Sequence, residues 1–351
     1  MEQIKASNNA SAAPLLLLLT DYRGLIPQRI MAWDGLDLDV IRKLTQSSGV
    51  QVLPVGAHEF DFQLLQGRSR VGVLYASSQE PRYKQYLQGI VAELAEGGAV
   101  LYPGLAHLLA HEDKAYQAHR IRRLGLEAPR SWVFGSREHA VAFLKTATYP
   151  MVGKTADGWG STGVRLLQNE REAERFVQRQ MVHRSFDKGR PRWKRALQRV
   201  VKPARSLGLV ILQELVVGLE GDWKILIWGD AACGMFRCNR AKDFRASGGG
   251  KLKEIEIPRG VLDFAYRTRE ALGLPWASFD IGFRDGRCYL LEYQAIHFGL
   301  SIRERARSYY VKGQDGWREV QGKLPLEEKV AELILSDFAA RGWLDGTGTP
   351  K

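Results

Sequence analysis

At 351 residues the chain is too long for one simple core and is expected to divide into two or three lobes. Its composition, 45% hydrophobic and 26% charged, is that of an ordinary globular protein, and no apolar run reaches the ~18 residues of a membrane span. Three cysteines, Cys233, Cys238 and Cys288, exclude a closed disulfide framework and fit no zinc spacing, so a reducing, cytoplasmic setting is expected.

In chain order, residues 1–12 read as a tail. "PLLLLL" is too short for a signal-peptide core and runs at once into Asp21 and Arg23, so it reads as a buried strand, Leu15–Thr20. Helix Asp37–Gln46, strand Val71–Tyr75 and helix Tyr83–Leu94 complete an α/β pattern. Residues 1–108 carry no motif that points to chemistry. Helix Lys114–Leu124 follows, capped by Asp113, then strand Ser131–Phe134 and a helix over 136–146 opened by Ser136. The strand of "YPMVGK" ends at Lys154; strand Val164–Leu167 and helix Glu170–Arg179 come next. "GLVILQELV" reads as a buried strand. Two hairpins are expected, one turning at Gly229–Asp230 and one at Asp285–Gly286, and a last helix over Leu326–Ala340.

Net charge is +12, and residues 183–205 alone carry nine Lys/Arg against one Asp. This insertion is either a solvated basic face or a dock for an anionic partner. Only Phe186 and Trp193 interrupt it, which disfavours a stacking platform for nucleic acid.

Three clusters point to chemistry. Gly158, Gly160 and Gly163, with Ser161 and Thr162, form a Gly-rich loop between two strands just after Lys154. Backbone N–H groups in such a loop can approach phosphates, although a plain hairpin tip has the same composition. It is neither a Walker loop nor a dinucleotide fingerprint. Asp280, on one strand of the second hairpin, can face Glu292 on the other, and Gln294 lies two residues on, on the same side as Glu292. Taken singly these are ordinary solvated groups. Together they are the hard oxygen donors that Mg²⁺ shares with substrate phosphates. Arg237, Arg240, Arg245 and Lys251 surround a Gly triplet and suit a clamp for phosphate or carboxylate.

In this order, "YPMVGK" with its Gly loop, "QELV", "FRCNRAKDFRASGGGK" and "FDIGF…LLEYQ" resemble the ATP-grasp superfamily over residues ~110–300. The similarity is greatest to the carboxylate–amine ligase branch that holds ribosomal-protein glutamate ligases and polysaccharide-associated proteins. The resemblance implies an α/β (α+β) fold in three parts. These are an N-terminal α/β lobe (1–108), a central subdomain (109–216, with the basic insertion 183–205) and a C-terminal subdomain (217–351), the last two gripping ATP between antiparallel sheets. It implies that Lys114 and Lys154 contact the nucleotide and that Gly158–Gly163 close over it. Gln213, Glu214, Leu215 and Val216 would meet adenine, and Glu220 or Asp222 the ribose. Arg237, Arg245 and Lys154 would act on the transferring phosphoryl and the acceptor carboxylate. Asp280, Glu292 and Gln294 would hold one or two Mg²⁺ ions.

The implied activity is an ADP-forming ligation through an acyl phosphate. It would join an amine to a carboxylate on a small molecule, an acidic polymer, a uronic-acid sugar or a peptide. A phosphotransferase acting on a hydroxyl and a non-catalytic nucleotide-binding module are the alternatives. Two residues depart from the pattern: Lys224 stands where the branch often has Arg, and Gln294 where most members have Asn.

Overall fold

The run Leu15–Thr20 forms β1 with all six side chains buried, as a strand covered on both faces must be. In this computed structural model, residues 13–26, 35–78, 80–156, 163–181, 207–241, 243–246 and 251–344 are described. The basic insertion at 183–205 and Gly158, Gly160, Ser161 and Thr162 lie outside them.

Helix α1 (Leu38–Gln46) is capped by Asp37, whose carboxylate accepts from the Asp39 and Val40 amides. Strands β2 (Gln51–Gly56), β3 (Val71–Tyr75) and β4 (Val100–Tyr102) complete a parallel sheet of order β2-β1-β3-β4. Strand β2 is not among the expected elements, and Pro54 interrupts its apolar run. Pro54 is tolerated because β2 is an edge strand. Helix α2 (Pro81–Glu96) covers the sheet, and α3 (Leu105–Ala110) leads into α4 (Lys114–Arg123), with Asp113 as its cap.

The central sheet is antiparallel, of order β5-β8-β6-β7: β5 (Ser131–Ser136), β6 (Met151–Thr155), β7 (Val164–Leu167) and β8 (Leu207–Glu214). Helices α5 (Arg137–Leu144) and α6 (Glu170–Gln180) cover one face, and the residues between them form a separate small core around Leu144, Phe176 and Leu212. The opposite face presents Val152, Lys154, Ile211 and Gln213, since residues of one strand alternate between faces.

The C-terminal sheet runs β13-β12-β9-β10-β14-β15, with β11 (Leu252–Lys253) beside β10. Both expected hairpins are present: β9 (Gly221–Trp228) with β10 (Ala231–Cys238), and β12 (Trp276–Arg284) with β13 (Arg287–Gln294). Asp285 and Gly286 both have positive φ, 50° and 74°, as a tight Asp-Gly turn requires. Helix α7 (Arg259–Leu272), the short α8 (Ser301–Arg305) and the hairpin β14 (Ser308–Gly313) with β15 (Gly316–Gln321) were not anticipated.

The last helix, α9 (Leu326–Ala340), joins the outer lobes. Its Val330, Ile334 and Phe338 pack in one core with Leu16 and Leu74 of the N-terminal sheet and Leu226 and Trp228 of the C-terminal sheet. A Cβ on Gly72 would lie 2.6 Å from the Phe338 ring, so the close approach of α9 needs glycine there. Phe338→Ala is therefore expected to destabilise the protein by about 3–5 kcal/mol. Urea denaturation checks this; a loss under about 1 kcal/mol would mean that α9 does not hold the lobes together.

Candidate active site

The open face of the central sheet looks onto the hairpin β12–β13, and a cavity of about 210 Å³ lies between them. One wall carries Val152, Lys154 and Val164, and the other Asp280, Leu291 and Glu292. A second cavity, of about 550 Å³, continues past Lys114 and Lys154 toward α4, where Arg122 and Arg130 line it.

A β-bulge sets the chemical edge. Asp280 pairs with Glu292, but Ile281 pairs with Leu290, which leaves Leu291 as an extra residue. A bulge of this kind reverses the alternation of side chains along the strand. Leu290 thus faces the core while Leu291 and Glu292 border the cavity. Gln294 lies beyond them, its Nε2 donating to Glu292 Oε1 at 3.1 Å. Its Oε1 lies 3.0 Å from Nδ1 of His111, which arrives from the residues before α4.

Asp280 is held by two cations, Lys224 Nζ at 2.8 Å and Arg237 Nη2 at 2.6 Å. Burial alone would raise its carboxyl, but the Arg237 and Lys224 charges outweigh that and hold it well below the usual carboxylate range. Asp222 shares only Arg237, through Nε at 2.6 Å and Nη2 at 2.8 Å, and burial raises it to about 6 against that pairing. Lys224 thus makes a single-point contact with Asp280, where an Arg could make a forked one.

Lys154 lies in the cleft, where burial lowers its ammonium to about 8; Glu292 opposes that shift, and Lys114 adds to it. Lys114 borders both cavities, and its backbone N–H bonds Ala156 O at 2.9 Å, fastening the start of α4 to the end of β6. Arg245 is fixed by Asp243 and donates from Nη1 to Val164 O at 3.1 Å, bridging the C-terminal sheet to β7.

Gln213 is buried against Ser131 Oγ at 2.8 Å, and Glu214, Leu215 and Val216 border the smaller cavity as it leaves β8. Of the two ribose candidates, Asp222 lines the cavity but is engaged by Arg237, whereas Glu220 is exposed and is not part of the lining. Gly163 accepts from the Thr155 amide at 3.1 Å at the base of its loop. Sequence reasoning missed Leu291, Asn239 and Phe244 in the lining, and His111 beside Gln294. Apolar and distant residues of this kind carry no local motif.

Among the described residues no three His, Cys, Asp or Glu side chains gather into a metal cage. Asp280 and Glu292 instead set carboxylate oxygens on one edge, the donor chemistry of a divalent cation that brings phosphates as its other ligands, although Lys224 and Arg237 engage both Asp280 oxygens and Gln294 turns its Nε2 toward Glu292. Cationic groups stand around that edge, so the cleft suits a polyanion carried with its metal.

The fold recurs in known structures. An ATP-grasp ligase, PsnB, complexed with a minimal precursor, Mg and ADP, superposes with a TM-score of 0.52 at 14% identity, over 93% of this chain and 98% of that one. The chain has the ATP-grasp fold. A D-cycloserine synthetase, DcsG, superposes on this ATP-grasp chain with a TM-score of 0.55 at 14% identity, over 92% and 99% of the two chains. PsnB complexed with a precursor peptide, PsnA2, and AMPPNP gives 0.51 at 15% identity, over 93% and 98%. No protein-family model matches the sequence, and no curated protein matches it significantly.

Proposed function

We propose that this ATP-grasp protein is an ADP-forming carboxylate–amine ligase that works through an acyl phosphate. The observation that carries this reading is the Asp280–Glu292 pair, set by a bulge at the floor of a cleft whose opposite wall supplies Lys154. Adenine would enter the smaller cavity between Val152 and Leu291, with the backbone of Glu214 and Val216 at its edge. Asp280, Glu292 and Gln294 would hold Mg²⁺, which offsets charge on the phosphates. Lys154 and Lys114 would meet the phosphate oxygens. Arg245, which lines the smaller cavity, and Arg237 would take the transferring phosphoryl and the acceptor carboxylate, for which Arg237, now paired with Asp222 and Asp280 and outside the lining of both cavities, would have to exchange a partner. Gly158–Gly163 would exclude water, which would otherwise hydrolyse the acyl phosphate.

The division into lobes 1–108, 109–216 and 217–351, and a cytoplasmic setting, belong to the same proposal. All three cysteines are free. No described helix is long and apolar enough to cross a membrane. The acceptor class is an anionic carboxylate, on a small molecule, polymer or peptide, and the basic segment 183–205 would attract it. The peptide complex of a fold neighbour supports including peptides.

Incubation with Mg-ATP and paired panels of acids and amines tests the reading. ADP release that needs both partners, with an amide in the product mass, is expected; ADP with a phosphomonoester would instead establish a phosphotransferase. Nucleotide binding without turnover would establish a binding module.

Lys154 gives a second check. Polyphosphate beside it raises an ammonium that burial has lowered to about 8. Nucleotide binding near pH 8 to 9 is therefore expected to take up protons, and affinity should fall as pH rises through that range. Calorimetry in buffers of different ionisation enthalpy measures this. Zero uptake, or proton release, would separate Lys154 from the phosphates.

A further inference from the structure

Gln294 bridges two groups. Its amide spans from Glu292 Oε1, at 3.1 Å, to Nδ1 of His111, at 3.0 Å. Gln294 and His111 are 183 positions apart, and His111 lies in the turn between α3 and α4. An Asn side chain is one methylene shorter and would fall short of one of these partners. The extra carbon is therefore what lets one side chain reach both Glu292 and His111.

The orientation of the amide decides what it offers. With Nε2 toward Glu292, Gln294 is a donor to a carboxylate and presents no oxygen to a cation. A half-turn exchanges the two ends, puts Oε1 beside Glu292 Oε1 as a second oxygen donor, and points Nε2 at His111. That turn needs His111 Nδ1 to change from donor to acceptor. A histidine tautomer is ordinarily fixed by the bond that the other ring nitrogen makes. Here Nε2 of His111 is buried with no hydrogen-bond partner among the described residues. No bond on that side fixes the tautomer, and the unpaired Nε2–H left by the exchange is a cost that the cation's contacts must offset. The ring itself is held in place: His111 is 1% exposed, its carbonyl accepts from Lys84 Nζ, and it stacks on His297 with centroids 5.9 Å apart.

We propose that His111 is a positioning residue for the metal edge. It accepts from the Gln294 amide when a divalent cation is present and donates to it when none is, so that Gln294 turns its oxygen to the cation. The proposal rests on the metal role given above to Asp280 and Glu292.

Two measurements on the full chain test it. The first is Mn²⁺ affinity by electron paramagnetic resonance, with AMPPNP, for wild type, H111F, Q294M and the double variant. Each single substitution should weaken Mn²⁺ by roughly 10–100-fold, the range for residues that orient metal ligands. The double variant should be no weaker than Q294M, because the two residues act as one unit. The second measurement needs no variant to fold. In ¹⁵N-histidine-labelled wild-type protein, the His111 signals should report Nδ1–H without metal and Nε2–H with Mg²⁺ and AMPPNP.

An unchanged tautomer, or an H111F affinity within about twofold of wild type, would overturn the role of His111 while leaving the carboxylate site intact. Failure of wild type to bind Mn²⁺ with the nucleotide would overturn the metal reading and this proposal together.

Discussion

Glu292→Gln is expected to lower ADP release from Mg-ATP by roughly 10²–10³-fold, the scale on which one preplaced electrostatic group contributes to a charged transition state. The substitution keeps shape and removes charge. Glu292 sits opposite Asp280 in register, borders both cavities and accepts from Gln294. A glutamine there retains one neutral oxygen but cannot offset the charge of a cation shared with phosphates. The Mg²⁺ concentration for half-maximal rate should rise as well. Steady-state kinetics across a Mg²⁺ series, with circular dichroism confirming the fold, measures both effects. Turnover within twofold of wild type would remove Glu292 from the metal edge.

The second large effect is on stability. Arg237 is 15% exposed and bonds two carboxylates that are themselves 9% and 13% exposed, Asp222 and Asp280. Arg237→Met leaves those two charges in one buried place with only Lys224 beside Asp280. Removing one partner from a buried ionic network costs about 3–5 kcal/mol.

The pH dependence follows from the two carboxyls. In the wild type Asp280 is held below its unfolded value, so its contribution is present above that value and is lost as acid protonates it. Asp222 is raised to about 6, so it costs stability above that pH and the cost is relieved as pH falls below it. Without Arg237 both carboxyls shift upward and protonate more easily. The deficit of the variant should therefore be largest at pH 7 to 8 and shrink toward pH 5. Urea melts at pH 8 and pH 5 read this directly. A deficit as large at pH 5 would assign the loss to packing.

How much of this was legible in the sequence depended on the kind of signal. Strong local patterns were read closely: β1, α9, the Asp-Gly hairpin and the Asp113 cap all lie where the residues place them. Glu292 and Gln294 do share a side of β13. The bulge at Leu291 was not legible, because it is a property of how two strands pair, and without it Leu290 and Glu292 would share a face. Strand β2 was not among the expected elements; Pro54 interrupts its apolar run, which only its edge position explains. Helix α7 was passed over although Val261, Leu262, Ala265 and Leu272 are buried along it. His111 has no motif, and its place beside Gln294 depends on how the turn between α3 and α4 packs against the end of β13. The resemblance implied Glu220 or Asp222 as the ribose contact; the pairing of Asp222 with Arg237 became visible only in the register of β9 against β10, where the two residues are opposite.

Hydroxylamine interception tests ligation through an acyl phosphate most directly. The protein is incubated with Mg-ATP, hydroxylamine in place of the amine, and a panel of amino acids, uronic acids and acidic peptides, and the products are read by mass. A hydroxamate formed in equal amount with ADP, and lost in Glu292→Gln, is the predicted result. ADP formed with phosphate ester and no hydroxamate on any carboxylate would contradict it.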